Sequence, residues 1–128
     1  QEMQDLDFSA IEDYYLARTR LYRETGKCRV FKSTSDQFFA NNVEIFDFIY
    51  VDGCHEPLQI LKDGLNSFER LKLGGILAFD DYQGATKKNS SERPKFAIDS
   101  FLDFIDGKAE VIIDNYQLWV RKVSHNDI

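Results

Sequence analysis

The chain has 128 residues, 16 Lys plus Arg against 22 Asp plus Glu, a formal net charge of −6 at pH 7, and 43% hydrophobic with 14% aromatic residues. That length fits one domain and that apolar content excludes a disordered tail, while the acidic balance excludes a general attraction to phosphate backbones or anionic lipid. No apolar run approaches the roughly 18 to 20 residues of a bilayer span and no leader pattern is visible, so the expectation is a soluble, cytoplasmic protein with neither nucleic acid nor membrane as partner.

Cys28 and Cys54 are the only cysteines, too few for a disulfide framework and not spaced as a CxxC pair, and both are expected to be reduced. A polar lead-in, residues 1–7, runs into an amphipathic segment. Ser9 with Glu12 fits a capping box, and Ile11, Tyr15, Leu16, Leu21 and Tyr22 share a broad face, which predicts a helix from Ser9 to Thr25 stopped by Gly26. Cys28-Arg29-Val30-Phe31-Lys32 alternates and predicts a short strand. Ser33-Thr34-Ser35-Asp36 then suits a turn opening a short helix through Phe38 and Phe39.

The run Phe46 to Val51 is almost continuously aromatic or β-branched, the pattern of a strand covered on both faces, and it ends at Asp52-Gly53. Pro57 fits a helical first turn, and Leu58, Leu61, Leu65 and Phe68 form a stripe that should lie on a sheet, with Gly74-Gly75 ending that helix. Ile76 to Phe79 predicts a second buried strand, also ending in acid, at Asp80-Asp81. Residues 83–95 are polar and predict a loop; the next helix should bury Ala97, Ile98, Phe101, Leu102 and Ile105. Two β-rich runs, Ala109 to Ile113 and Gln117 to Arg121, predict a closing antiparallel hairpin, and residues 123–128 a fraying tail. With no internal repeat and no interdomain linker, residues 1–128 read as a single domain. This order of elements argues an α/β fold with a largely parallel sheet and an antiparallel strand at its end.

In such sheets a site lies outside the carboxyl ends of the strands, where Asp52, His55, Asp80 and Asp81 all fall. Neighbouring strands are about 4.8 Å apart, so three carboxylates can converge on one ion, and an all-oxygen anionic set favours Mg²⁺ or Ca²⁺. The same acids also suit caps of the following helices. His55, three residues after Asp52, is a surface residue on one reading. On the other it is a proton acceptor, since imidazole with an unperturbed pKa near 6.5 is largely neutral at pH 7. Lys87, Lys88, Arg93 and Lys95 border the same rim, as a solvated loop, a lid or a grip for an anionic group. Tyr116 and Trp119 read as core or sheet-face residues.

The segments FDFIYVDGCH (Phe46 to His55), LGGILAFDDY (Leu73 to Tyr82) and the closing YQLWVRK resemble class I S-adenosylmethionine-dependent methyltransferases over residues 28–122. The nearest likeness is to the branch with metal-dependent O-methyltransferases acting on catechols and on sugars of natural products. The resemblance implies a Rossmann-like sheet, a small-molecule hydroxyl substrate and S-adenosylmethionine as cofactor. It makes Asp52, Asp80 and Asp81 ligands of Mg²⁺ and His55 the base, a position held by lysine in the catechol enzymes. The segment Thr34-Ser35-Asp36 would face the cofactor's adenine, and Asp52 lies on the cofactor's side as well.

The family's first two strands and glycine-rich loop should precede residue 1, and no GxG occurs in the chain. In the family order 3-2-1-4-5-7-6 that removes the middle of the sheet. The Cys28 strand would stand roughly 14 Å from the Phe46 strand, with unpaired edges on both. The sequence therefore reads as the carboxyl-terminal portion of a larger methyltransferase, inactive alone. Two further readings are a non-catalytic fragment or interaction module, dimeric through its open edges, and a metal-dependent hydrolase using the acid trio.

Overall fold

The computed structural model describes residues 8–53 and 56–124, which form two units, one ending at Thr34 and one beginning at Ser35. The first holds α1 (Phe8–Glu24). Gly26 ends it as expected: its φ of 78° lets the Gly26 N–H reach the Arg23 carbonyl (3.2 Å) and the Lys27 N–H the Tyr22 carbonyl (2.8 Å). These are the paired bonds of a Schellman cap. Of the expected apolar face, Ile11, Tyr15, Leu21 and Tyr22 are exposed. The strand expected at Cys28–Lys32 does not form. Strand backbone is held by neighbouring strands, and among the described residues the sheet is made of four other strands alone.

The second unit holds α2 (Ser35–Ala40), β1 (Phe46–Val51), α3 (Pro57–Glu69), β2 (Leu71–Phe79), α4 (Pro94–Phe104), β3 (Ala109–Asp114) and β4 (Leu118–Lys122). Its sheet runs β1-β2-β4-β3, with β1 parallel to β2 and the other two pairings antiparallel. The sheet is thus mixed, and its order equals the 4-5-7-6 half of the expected methyltransferase sheet. Pro57 and Pro94 both open their helices, where a missing N–H costs nothing. No helix among the described residues is long and apolar enough to cross a membrane.

One face of the sheet carries the core. Ile60 and Phe68 of α3 and Ala97, Ile98 and Phe101 of α4 pack there against Leu77, Phe79, Leu118 and Val120, and Ile105 joins them. The rings of Phe68 and Phe79 meet Phe101 edge-on at 6.0 and 5.3 Å. The buried face of α3 is centred on Ile60, Gly64 and Ser67-Phe68; of the expected stripe, Phe68 is buried and Leu61 and Leu65 pack against the core, while Leu58 is exposed. Gly64 selects this face: a Cβ there would lie 3.0 Å from the Phe101 ring and 3.1 Å from Phe79. Lys122 is buried beneath the end of α3, donating to the Phe68 and Leu71 carbonyls at 2.9 and 3.2 Å, and burial pushes its ammonium below the ordinary lysine value. A cation at this end complements the helix dipole.

The opposite sheet face is open within this unit. Phe48 and Tyr50 are 48% and 44% exposed, which corrects the expectation that β1 is covered on both sides. Continuous apolar character identified the strand; Ile49 and Val51 alone contact the core.

Gly74-Gly75 does not end α3, which stops at Glu69 with Arg70 as its cap. The pair lies inside β2, where the register slips from Phe46↔Leu71 to Phe48↔Ile76. Gly74 has φ 83°, and a Cβ on Gly75 would sit 2.8 Å from the Lys72 carbonyl oxygen and 2.9 Å from that of Asp47. Both obstacles are backbone, so the bulge requires glycine. The tail also differs from expectation: the Val123 and Ser124 N–H groups bond the Lys108 carbonyl at 2.8 and 3.2 Å, and residues 125–128 lie outside the described residues, as do 1–7.

Gly75→Ala is expected to destabilise the protein by about 1–3 kcal/mol through this clash, measured by urea denaturation. An unchanged midpoint would show that β2 relaxes around the methyl group.

Candidate functional site

The site begins with strand register. Val51 pairs with Phe79 across the parallel β1–β2 ladder, and the Asp80 N–H continues it to the Val51 carbonyl at 3.1 Å. The residue after each strand is an acid. Asp52 and Asp80 are therefore neighbours by construction, and the turn after β2 brings Asp81 beside them. One carboxylate oxygen from each of the three lies within 4.8 Å of the others. Oxygens on opposite sides of one ion are about 4.2 Å apart for Mg²⁺ and about 4.8 Å for Ca²⁺, so a set within 4.8 Å spans Ca²⁺ as it stands and closes further on Mg²⁺. Val51, Asp52, Phe79, Asp80, Asp81 and Ile98 also line a cleft of about 20 Å³, the room of one water-sized occupant. Donor chemistry and dimensions thus fit a single divalent ion.

Three like charges this close repel, and neutral donors offset part of that repulsion. The Tyr50 hydroxyl donates to Asp80 Oδ1, the Gln117 amide donates to the same oxygen at 2.8 Å, and the Tyr116 hydroxyl donates to Asp81 Oδ1 at 2.9 Å. Gln117 also reaches the Tyr50 oxygen at 3.2 Å, and Trp119 Nε1–H donates to Gln117 Oε1 at 3.0 Å. The Tyr50 hydroxyl, followed by the Gln117 amide, holds the Asp80 carboxyl below its usual range. Reciprocally, the bond to Asp80 pushes Tyr50 up to about 12, and Asp81 raises Tyr116.

Sequence reasoning picked the three acids and missed this surrounding set, treating Tyr50, Tyr116 and Trp119 as strand or core residues. The register of β4 on β2, which no local pattern discloses, places Gln117: with Leu118 opposite Phe79, it falls opposite Asp80. His55, the expected base, lies outside the described residues, as does Cys54. Of the segment expected to face the adenine, Thr34 ends the first unit, while Ser35 and Asp36 open α2 in the second. Their side chains dock α2 on α3. Ser35 donates to Asp63 (2.7 Å), Gln59 donates to Asp36 (3.1 Å), and Lys62 pairs with Asp36 (2.9 Å).

Two of the four cations after β2 are held locally, Arg93 by the loop and Lys95 by the first turns of α4 and Tyr82. Arg93 donates to the Thr86 and Lys88 carbonyls, both at 2.8 Å, and Lys95 bonds Asp99 (2.9 Å) and the Tyr82 oxygen (3.0 Å). A 3₁₀ turn, Ser90–Glu92, also interrupts the expected loop before α4 begins at Pro94.

Residues 5–82 match a family described as a methyltransferase domain. Among solved structures, the fold is similar to that of the O-methyltransferase NovP, with a TM-score of 0.51 at 17% sequence identity; the match covers 68% of this chain and 36% of that one. This chain thus spans about a third of that protein's length. No curated protein matches the sequence.

The Asp80 environment gives a pH dependence of defined sign. A carboxyl depressed in the folded state stabilises above its unfolded value near 4 and loses that contribution as pH falls through the folded value. Tyr50→Phe removes the foremost cause, so the variant is expected to lose less stability between pH 6 and pH 3 than the parent, by urea midpoints in chelator. Parallel curves would show that the Tyr50 bond does not act on Asp80.

Proposed function

The chain belongs to the methyltransferase-domain family, and on that premise we propose that the full protein transfers a methyl group from S-adenosylmethionine to a hydroxyl oxygen of a small molecule, with Mg²⁺ or a similar cation held by Asp52, Asp80 and Asp81. The observation that carries this reading is the convergence of the three carboxylates at the carboxyl ends of β1 and β2. When bound there, a divalent cation supplies positive charge that lowers an acceptor hydroxyl's pKa and orients it.

The chain's own residues do the rest. Asp52, Asp80 and Asp81 fix the position at the rim, and Tyr50, Gln117 and Tyr116 hold Asp80 and Asp81 by neutral hydrogen bonds that leave the carboxylate charge in place. His55, assigned by resemblance, accepts the acceptor's proton, an effect worth roughly 10²–10⁴ in rate. Alignment of the oxygen with the methyl carbon and sulfonium contributes more, because effective molarities reach roughly 10⁵–10⁸ M. Ser35 and Asp36 act on the adenine side by anchoring the start of α2, their side-chain bonds to α3 giving that segment a fixed origin.

A second reading, that this chain does not bind the cofactor unaided, is supported by the position of β1 at the edge of the described sheet and by the missing GxG turn.

Two measurements test these readings. In the full protein, Asp52→Asn combined with Asp81→Asn is expected to lower kcat/KM for a hydroxyl acceptor about 10²-fold or more, and chelator to abolish parental activity until Mg²⁺ is returned; a double variant fully active in chelator removes the metal role. Calorimetry with S-adenosylhomocysteine is expected to give no binding heat with residues 1–128 alone and a saturable signal with the longer protein. Saturable binding by residues 1–128 rejects the second reading.

A further inference from the structure

We propose that Gln117 is a positioning residue for the cation ligand Asp80, and that the indole of Trp119 determines which end of the Gln117 amide meets that carboxylate. The inference rests on the cation reading above and adds residues from the closing hairpin.

An indole restricts which atom can face it. Its N–H is a donor only, so the amide atom 3.0 Å from Trp119 Nε1 must be the oxygen. The amide's NH₂ is thereby turned toward Asp80 Oδ1 at 2.8 Å and the Tyr50 oxygen at 3.2 Å. The reversed amide would set two donors against each other at Trp119 and a carbonyl oxygen against the carboxylate. The indole has its own anchor: its ring packs against Phe48 at 5.6 Å, and Trp119 pairs with Ala78 in the ladder. The chain of constraint runs from a packed ring, through a fixed amide, to a carboxylate oxygen.

The chemistry of the donor matters as much as its place. A lysine or arginine at position 117 would cancel the charge that a cation needs. An amide orients Asp80 and leaves it anionic, and the Tyr50 hydroxyl does the same. Both donors engage the same oxygen, Oδ1. Outer-shell groups that orient a ligand in this way typically contribute 10- to 100-fold to metal affinity.

The test uses Mn²⁺ alone, titrated into the full protein and followed by electron paramagnetic resonance of the free ion, with no cofactor or acceptor present. Gln117→Leu is expected to raise the Mn²⁺ Kd about 10- to 100-fold. Trp119→Phe, which keeps an aromatic ring, though a smaller one, and deletes the donor, should raise it less. Because Trp119 acts through Gln117, the double variant should bind no more weakly than Gln117→Leu, whereas two independent structural defects would add. A parental Kd in Gln117→Leu, or full additivity in the double variant, overturns the proposal while leaving the cation reading standing. Absence of Mn²⁺ binding by the parent removes both. If Gln117→Leu does not fold, Trp119→Phe decides: a weakened Kd with an unchanged melting temperature supports the relay, and a parental Kd overturns it.

Discussion

The parallel register of β1 on β2 is the constraint from which the rest follows. Pairing Val51 with Phe79 leaves each strand one residue short of an aspartate, so the ladder's hydrogen bonds fix how Asp52 and Asp80 stand to each other. A slip of one residue would turn every side chain to the other face and part the acids. The bulge at Gly74-Gly75 lies in the same ladder, absorbing the extra residues of β2 before the register that matters begins at Ile76. The glycines are remote from the acids along the strand and yet decide where the acids fall.

The hairpin extends that constraint. β4 sits on the far side of β2 from β1, and its antiparallel register brings the residue before Leu118 to the level of Asp80. The hairpin, anchored in the core by Leu118 and Val120, thus reaches the strand ends with an amide and a phenol, Gln117 and Tyr116. Repulsion among three clustered carboxylates is offset there by oriented neutral dipoles, which preserves the anionic character that a hard cation recognises.

The two faces of the sheet have different tasks. On one, α3 and α4 close over Leu77, Phe79, Leu118 and Val120, with Lys122 satisfying carbonyls at the end of α3. The other presents Phe48 and Tyr50, and Trp119 is shared between them: its ring packs on Phe48 while its N–H enters the polar chain toward Asp80. Apolar packing and site geometry therefore meet in one side chain, as required where a ring must be fixed before its hydrogen bond can fix anything else.

How much of this the sequence disclosed depends on the range of the interaction. Gly26 as a helix stop, Pro57 and Pro94 as helix starts, the buried residues of α4, the hairpin and the acids after β1 and β2 are local signals, each carried by a few adjacent residues with restricted backbones or a plain periodicity, and the α/β architecture followed from their order. Tertiary structure alone decided that Gly74-Gly75 is a bulge, that Cys28–Lys32 forms no strand, that α3 buries the Gly64 side, and that Tyr50, Tyr116 and Gln117 surround the acids. Each of these depends on a partner far away along the chain: a backbone carbonyl across the ladder, a neighbouring strand to pair with, an aromatic ring filling the space that glycine leaves. Composition and periodicity record what a segment can do, and only the register between segments determines which groups meet.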